Sequence, residues 1–278
     1  MKRAWQHLLW LTLVVVALIV AHHYAPLQPE VVCVYLGLGL LLTGLISTLR
    51  PLRFLGIRLR GTALLVLAIG ATLVLGGFEW PASSRVASGP HQRLDDFMPG
   101  YEFYERHETY AHASTARVSD AVKQVTAADI PVAAWLSRIR AMAYGHFERR
   151  RASSQPMLKA LSQPGSGFLA LDLDGASEIV CGLVGRPWAN ARPPRVETPA
   201  EFIAFNTPDN VKVAFNLAWS DAGEGRTRIT TETRIIGTDD HARRTFARYW
   251  RVIYPGSAII RRAWLDAIVA RAERDRGE

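Results

Sequence analysis

Lysine and cysteine are both scarce in this chain. The four lysines are Lys2, Lys123, Lys159 and Lys212, so arginine carries most of the formal charge of +8. That bias fits GC-rich coding better than a selected chemistry. From Glu201 to Arg234 arginines and acids are interspersed and no block of one sign accumulates. This is the pattern of a mixed solvated surface, and nucleic acid is not an expected partner. The two cysteines, Cys33 and Cys181, lie in separate apolar runs. They are poor disulfide partners and too few for an all-cysteine zinc site, and they leave the compartment open.

Acids, lysine and arginine are missing altogether from three stretches, Trp5 to Tyr24, Val31 to Leu49 and Gly61 to Phe78. Each is about as long as the roughly 20 residues that cross a bilayer as a helix with every backbone group bonded internally. Residues 1–80 are therefore expected to form a membrane region of three transmembrane helices. Without ionisable groups inside them, an ion or proton pathway is disfavoured. Trp5, Trp10, Tyr24 and Trp80 stand near the ends of these runs, where amphipathic rings favour the interface. Lys2 and Arg3 ahead of the first run also give it the form of a signal peptide, but His22, His23 and Tyr24 make a poor cleavage site.

Arg50, Arg53, Arg58 and Arg60 lie between the second and third runs, whereas the connection from His22 to Glu30 holds no lysine or arginine. The positive-inside rule then puts the N-terminus in the cytoplasm and everything after Phe78 outside it. The expectation is a multi-pass protein of a bacterial inner membrane with an extracytoplasmic C-terminal domain. Two small-residue trios at four-residue spacing, Gly39, Thr43 and Ser47 and then Ala68, Thr72 and Gly76, offer faces for close helix approach.

Residues 81–100, rich in Pro, Ser and Gly, read as a linker, and residues 101–278 as one folded domain. Tyr101 to His112 reads as a strand, Ser119 as a helix cap, and Leu136, Ile139 and Met142 as the apolar face of a second helix. Phe168 to Asp172 and Ser177 to Val184 flank the turn pair Asp174 and Gly175, and Glu201 to Asn206 is a further strand candidate. Val211 to Trp219 and Arg226 to Ile236 alternate most clearly. Val211, Val213, Phe215, Leu217 and Trp219 share one face, while Arg226, Arg228, Glu232 and Arg234 share a wet one. Thr227, Thr231 and Thr233 then point inward. Such hydroxyls either bond to neighbouring backbone or serve a cavity that needs polar handles. Thr238 and Asp239 cap a long helix whose apolar stripe runs through Phe246, Tyr249, Trp250 and Ile253 and continues past Pro255 to Ile260, Trp264 and Ile268. Arg244, Arg248 and Arg251 form another stripe, read as a solvated face or an anionic-lipid contact.

Three stretches carry a family resemblance: Glu105-Arg106-His107 running into Ala116 to Val125, then Glu178 to Trp188, then Arg226 to Arg248. With them the chain resembles the START-like, or SRPBCC, superfamily, which includes pollen-allergen-like proteins and polyketide cyclases. The run from Tyr249 to Pro255 is also similar to that of bacterial proteins. The resemblance implies an α+β helix-grip fold, an antiparallel sheet curved round a long C-terminal helix, with an apolar cavity between them. It would put Phe215, Trp219, Thr231, Thr233, Tyr249 and Trp250 in the lining. The membrane region is not part of that superfamily, and the metal-binding residues of its ring-hydroxylase branch are not found here.

No metal, cofactor or catalytic residue is expected. His107 and His112 are five residues apart, about 140° round a helix and on opposite faces of a strand, so they do not make the two-histidine zinc motif. Asp172, Asp174 and Gly175 begin like a calcium loop but lack its later ligands. The expected function is a membrane-anchored START-like domain that binds a hydrophobic ligand, a lipid or similar molecule, at the bilayer surface. The alternatives are a protein-interaction module of an envelope complex and a cofactor-free enzyme of the cyclase type, for which Glu105, His107 and Glu232 are the acid–base candidates.

Overall fold

The computed structural model describes residues 28–52, 55–57, 59–136, 154–163, 166–189 and 191–274. The first expected span, Trp5 to Tyr24, and the helix face at Ile139 and Met142 lie outside them. The chain forms two compact units: residues 1–81 with 247–254, and residues 82–246 with 255–278.

In the first unit, α1 (Pro29–Leu49) and α2 (Arg60–Glu79) are both long and apolar enough to cross a membrane. They pack antiparallel, and of the expected trios only Ser47 is buried. A Cβ added at Gly39 or Gly76 would meet nothing within 4 Å. The hydroxyls of Thr43 and Thr72 instead donate to carbonyls four residues back, at Gly39 and Ala68. The other buried small residues are Gly37 and Gly44 on α1, and Ala63, Gly70 and Gly77 on α2. Their spacing is seven, the period that keeps one stripe on the partner when two helices cross at a shallow angle. A Cβ at Gly70 would stand 2.8 Å from Leu41 N and 2.9 Å from Gly37 O, so glycine is what lets the backbones approach.

In the second unit, β3 (Phe103–Ala111), β4 (Leu169–Asp172), β5 (Glu178–Gly185), β6 (Val211–Asp221) and β7 (Thr227–Gly237) form an antiparallel sheet in the order β3-β7-β6-β5-β4. The first strand thus lies at an edge beside the last. β1 (Arg85–Val86) and β2 (Gly100–Tyr101) make a separate two-stranded ladder. Between β3 and β4 come α4 (Thr115–Gln124), helical residues 131–136 and α5 (Met157–Leu161). The cap of α4 is Ser114, whose side chain accepts from Arg117 N, and not Ser119. α7 (Asp240–Arg274) is continuous through Pro255, and Asp239 Oδ1 accepts from Ala242 N at its start.

One sheet face carries the main core. Val118, Val122, Leu158, Trp264, Leu265 and Ile268 from the helices pack on Ile179, Phe215, Leu217, Trp219 and Ile229. The other face is wet only in part, at Arg226 and Arg228, whose side chains are 39% and 40% exposed. α3 (Arg93–Phe97) and α6 (Pro199–Ala204) lie on it, burying Leu94, Met98 and Phe202 against Val180, Val184 and Ala214. So the stretch expected to be a linker contains an ordered helix, and the expected strand at Glu201 is helical. Thr198 caps α6 by accepting from Glu201 N, with Pro199 preset for the first turn.

Glu232 and Arg234, expected on the wet face, are buried in a bonded network under α3. Arg234 donates to Glu232 and Asp95, each at 2.7 Å, and to the Met98 carbonyl at 2.9 Å. The Glu178 carboxylate accepts from Arg93 N, Leu94 N and Asn216 Nδ2 at 2.8, 3.1 and 2.7 Å. It thereby fills the open amides that begin α3. Burying these charges is tolerable because their partners are supplied.

Candidate functional site

Strand alternation sends Glu105 and His107 of β3 to the core face together with Phe103 and Ala111. Register then builds a row across four strands: Glu105 opposite Thr233, Thr233 opposite Phe215, Phe215 opposite Cys181. Over this row lies one face of α7, where Ser257, Arg261 and Trp264 recur at spacings of four and three.

The resulting cluster is polar, buried and only partly bonded. Ser257 Oγ donates to Glu105 Oε1 at 2.6 Å, and Arg261 Nε lies 3.6 Å from the same oxygen. His107 Nε2 is 3.7 Å from Glu105 Oε2. The Arg261 guanidinium stands 4.0 Å from the Phe215 ring centroid and 5.7 Å from that of Trp264, while the two rings meet edge-on at 6.0 Å. Glu105, His107, Thr233 and Trp264 are between 2% and 4% exposed. Glu105 Oε2, His107 Nε2, Thr233 Oγ1 and Trp264 Nε1 have no hydrogen-bond partner among the described residues. Burial pulls the Arg261 guanidinium below its ordinary pKa, and Glu105 acts in the opposite direction. Burial also pushes the Cys181 thiol up to about 12 against the pull of Arg261. That thiol is protonated at neutral pH and is not a nucleophile.

The expected lining residues divide. Phe215 and Thr233 are in the cluster. Thr231 faces the same way, but its hydroxyl donates to the Asn216 carbonyl at 2.7 Å, and Thr227 likewise donates to the Ala113 carbonyl at 2.7 Å. Two of the three inward hydroxyls therefore serve backbone, and Thr233 alone is open. Trp219 is buried in the apolar core opposite Ile229. Tyr249 and Trp250 belong to the other unit, where Trp250 Nε1 donates to Gln28 Oε1 at 3.2 Å. Of the three acid–base candidates, the structure joins Glu105 with His107 and puts Glu232 under α3 with Arg234. Sequence reasoning missed Ser257 and Arg261. Their only signal was helical spacing to Trp264, which says nothing about the strand residue they meet.

Among the described residues no group of three His, Cys, Asp or Glu side chains is arranged to hold a metal ion. Neither a protein-family model nor a curated protein matches the chain. Among solved structures, the crystal structure of a hypothetical protein from Helicobacter pylori aligns with 68% of this chain and 99% of its own at 12% identity. Its TM-score is 0.33, a likeness too weak to carry an argument. The fold is that of a mixed α+β protein with an antiparallel sheet and a long C-terminal helix, preceded by apolar helices.

Proposed function

We propose that the chain is a membrane-anchored START-like protein whose α+β unit binds a hydrophobic ligand through a polar end seated at Glu105, His107, Thr233 and Trp264. One observation carries this reading: on this sheet face and the helix over it, four buried polar atoms, on Glu105, His107, Thr233 and Trp264, have no hydrogen-bond partner among the described residues. Each buried group without a partner costs about 1–3 kcal/mol, so four together are a large burden for a merely structural core. A carboxylate oxygen only accepts, an indole N–H only donates, and a hydroxyl does both. The group that satisfies all of them is itself both donor and acceptor, such as a hydroxyl on an apolar body.

The helix-grip reading is supported by strand order, with the first strand at an edge beside the last and helices inserted between the first and second. The apolar helices α1 and α2 supply the bilayer from which such a ligand partitions. A second reading, a cofactor-free enzyme, is favoured by the close Glu105 and His107 pair. A guest whose mass changes on incubation supports it, and a guest recovered unchanged supports binding alone.

Thr233→Val removes an open hydroxyl at constant shape. The expected outcome is a stability equal to the wild type or up to about 1 kcal/mol higher, with guest retention reduced about tenfold. Solvent extraction of the purified full chain followed by mass spectrometry reads the second effect. No extractable guest from the wild type, or equal retention by the variant, overturns the proposal. For orientation, the arginines between α1 and α2 put that connection in the cytoplasm and the α+β unit outside. A phosphatase fused after Glu278 is therefore expected to be active and a green fluorescent protein dark; the opposite pattern reverses the topology.

A further inference from the structure

A second buried group with open donors lies in the first unit, at Arg251. The stretch 247–254 is bonded to one end of the apolar pair, where α1 starts and α2 stops. The Tyr35 hydroxyl donates to the Val252 carbonyl at 2.7 Å, Trp250 to Gln28, and Arg248 Nη2 to Glu79 Oε1 at 2.6 Å. Arg251 Nη2 donates to the Trp80 carbonyl. The rest of the Arg251 guanidinium is unmatched: the residue is 2% exposed, and its Nε and Nη1 have no hydrogen-bond partner among the described residues. Glu30 and Glu79 act on it through space only, and Glu79 is already bonded to Arg248.

A buried guanidinium with open donors is strongly unfavourable unless an anion completes it. With α1 and α2 crossing a bilayer, Arg251 stands at the level of Trp80 and Tyr35, the rings that favour the headgroup zone. The anion abundant at that level is the lipid phosphate. Beside it Tyr35, Leu38 and Val252 are 45%, 47% and 53% exposed, an apolar surface fit for acyl chains.

We propose that Arg251 seats the phosphate of one phospholipid, whose chains lie along Tyr35, Leu38 and Val252. The inference rests on the membrane-spanning reading of α1 and α2 and is independent of the cluster at Glu105.

The test is native mass spectrometry of the full chain extracted from membranes in mild detergent. Wild type is expected to retain a phospholipid. Arg251→Gln is expected to lose it about tenfold, the loss of one charge-assisted contact. Arg251→Lys, which keeps the charge with fewer donors, is expected to bind severalfold more weakly and decides the matter if Arg251→Gln does not fold. Arg192→Gln, in an exposed loop of the other unit, is the control and retains lipid. Equal retention by wild type and both Arg251 variants overturns the site while leaving the spanning reading intact. Binding of inorganic phosphate alone, with no retained phospholipid, overturns the lipid assignment. A chain absent from the membrane fraction overturns the spanning reading and the site with it.

Discussion

Replacing Glu105 with alanine is expected to destabilise the α+β unit by about 3–5 kcal/mol, because it leaves Arg261 buried without its carboxylate. Glu105 is also the acceptor for Ser257 at 2.6 Å, so the variant strands a second donor. For a unit of this size the melting temperature falls by roughly 6–20 °C. The double variant Glu105→Met, Arg261→Met has the opposite expectation. Removing both charges together replaces a costly pair with apolar volume, and stability returns to near the wild-type value, the gain offset by the Ser257 hydroxyl that still lacks its acceptor. If the pair exists for a guest, the double variant melts normally and retains none. Thermal melts followed by far-ultraviolet circular dichroism, with extraction of the same samples, give both numbers. An alanine variant that melts with the wild type removes the buried pair from the account of this site.

The contrast between these variants mirrors what a linear sequence reveals. Phe215 and Thr233 were legible because strand alternation assigns a face without knowledge of what covers it. The same alternation put Glu232 and Arg234 on the opposite face correctly, yet gave them to water. The coverage comes from α3, five residues anchored by Leu94 and held by a carboxylate 85 positions away in the chain. No local pattern encodes such a partner. At α6 the helix signal was present in Thr198, Pro199 and Glu201, and the aromatic and branched run Phe202, Ile203 and Phe205 spoke for a strand. In the helical form Phe202 is buried and Phe205 packs against the same core, while Ile203 is left 51% exposed. The long helix was foreseen through Pro255 from the continuity of its apolar stripe. That stripe serves two units, however, so Tyr249 and Trp250 fell away from the cluster and Trp264 joined it. Ser257 and Arg261 were invisible because a polar residue on a helix acquires its role from the strand it faces.

The membrane pair offers the sharpest test of spacing against contact. Alanine for glycine inside a helix is ordinarily favourable by about 1 kcal/mol, since it lowers the backbone entropy lost on ordering. Gly76→Ala and Gly39→Ala, where an added Cβ meets nothing within 4 Å, are expected to show that gain or no change. Gly70→Ala is expected to reverse the sign. Its Cβ would stand 2.8 Å from Leu41 N and 2.9 Å from Gly37 O, both backbone atoms that no rotamer change can move aside. The helices must separate, forfeiting dispersion contacts along the seven-residue stripe, and overpacking of this kind costs about 1–3 kcal/mol. Gly37→Ala, 2.8 Å from Gly70 O, is expected to behave alike. Unfolding of the full chain in mixed micelles with increasing sodium dodecyl sulfate orders the four variants. Should Gly39 and Gly76 prove the sensitive pair instead, the four-residue trios, not the seven-residue glycines, hold α1 to α2.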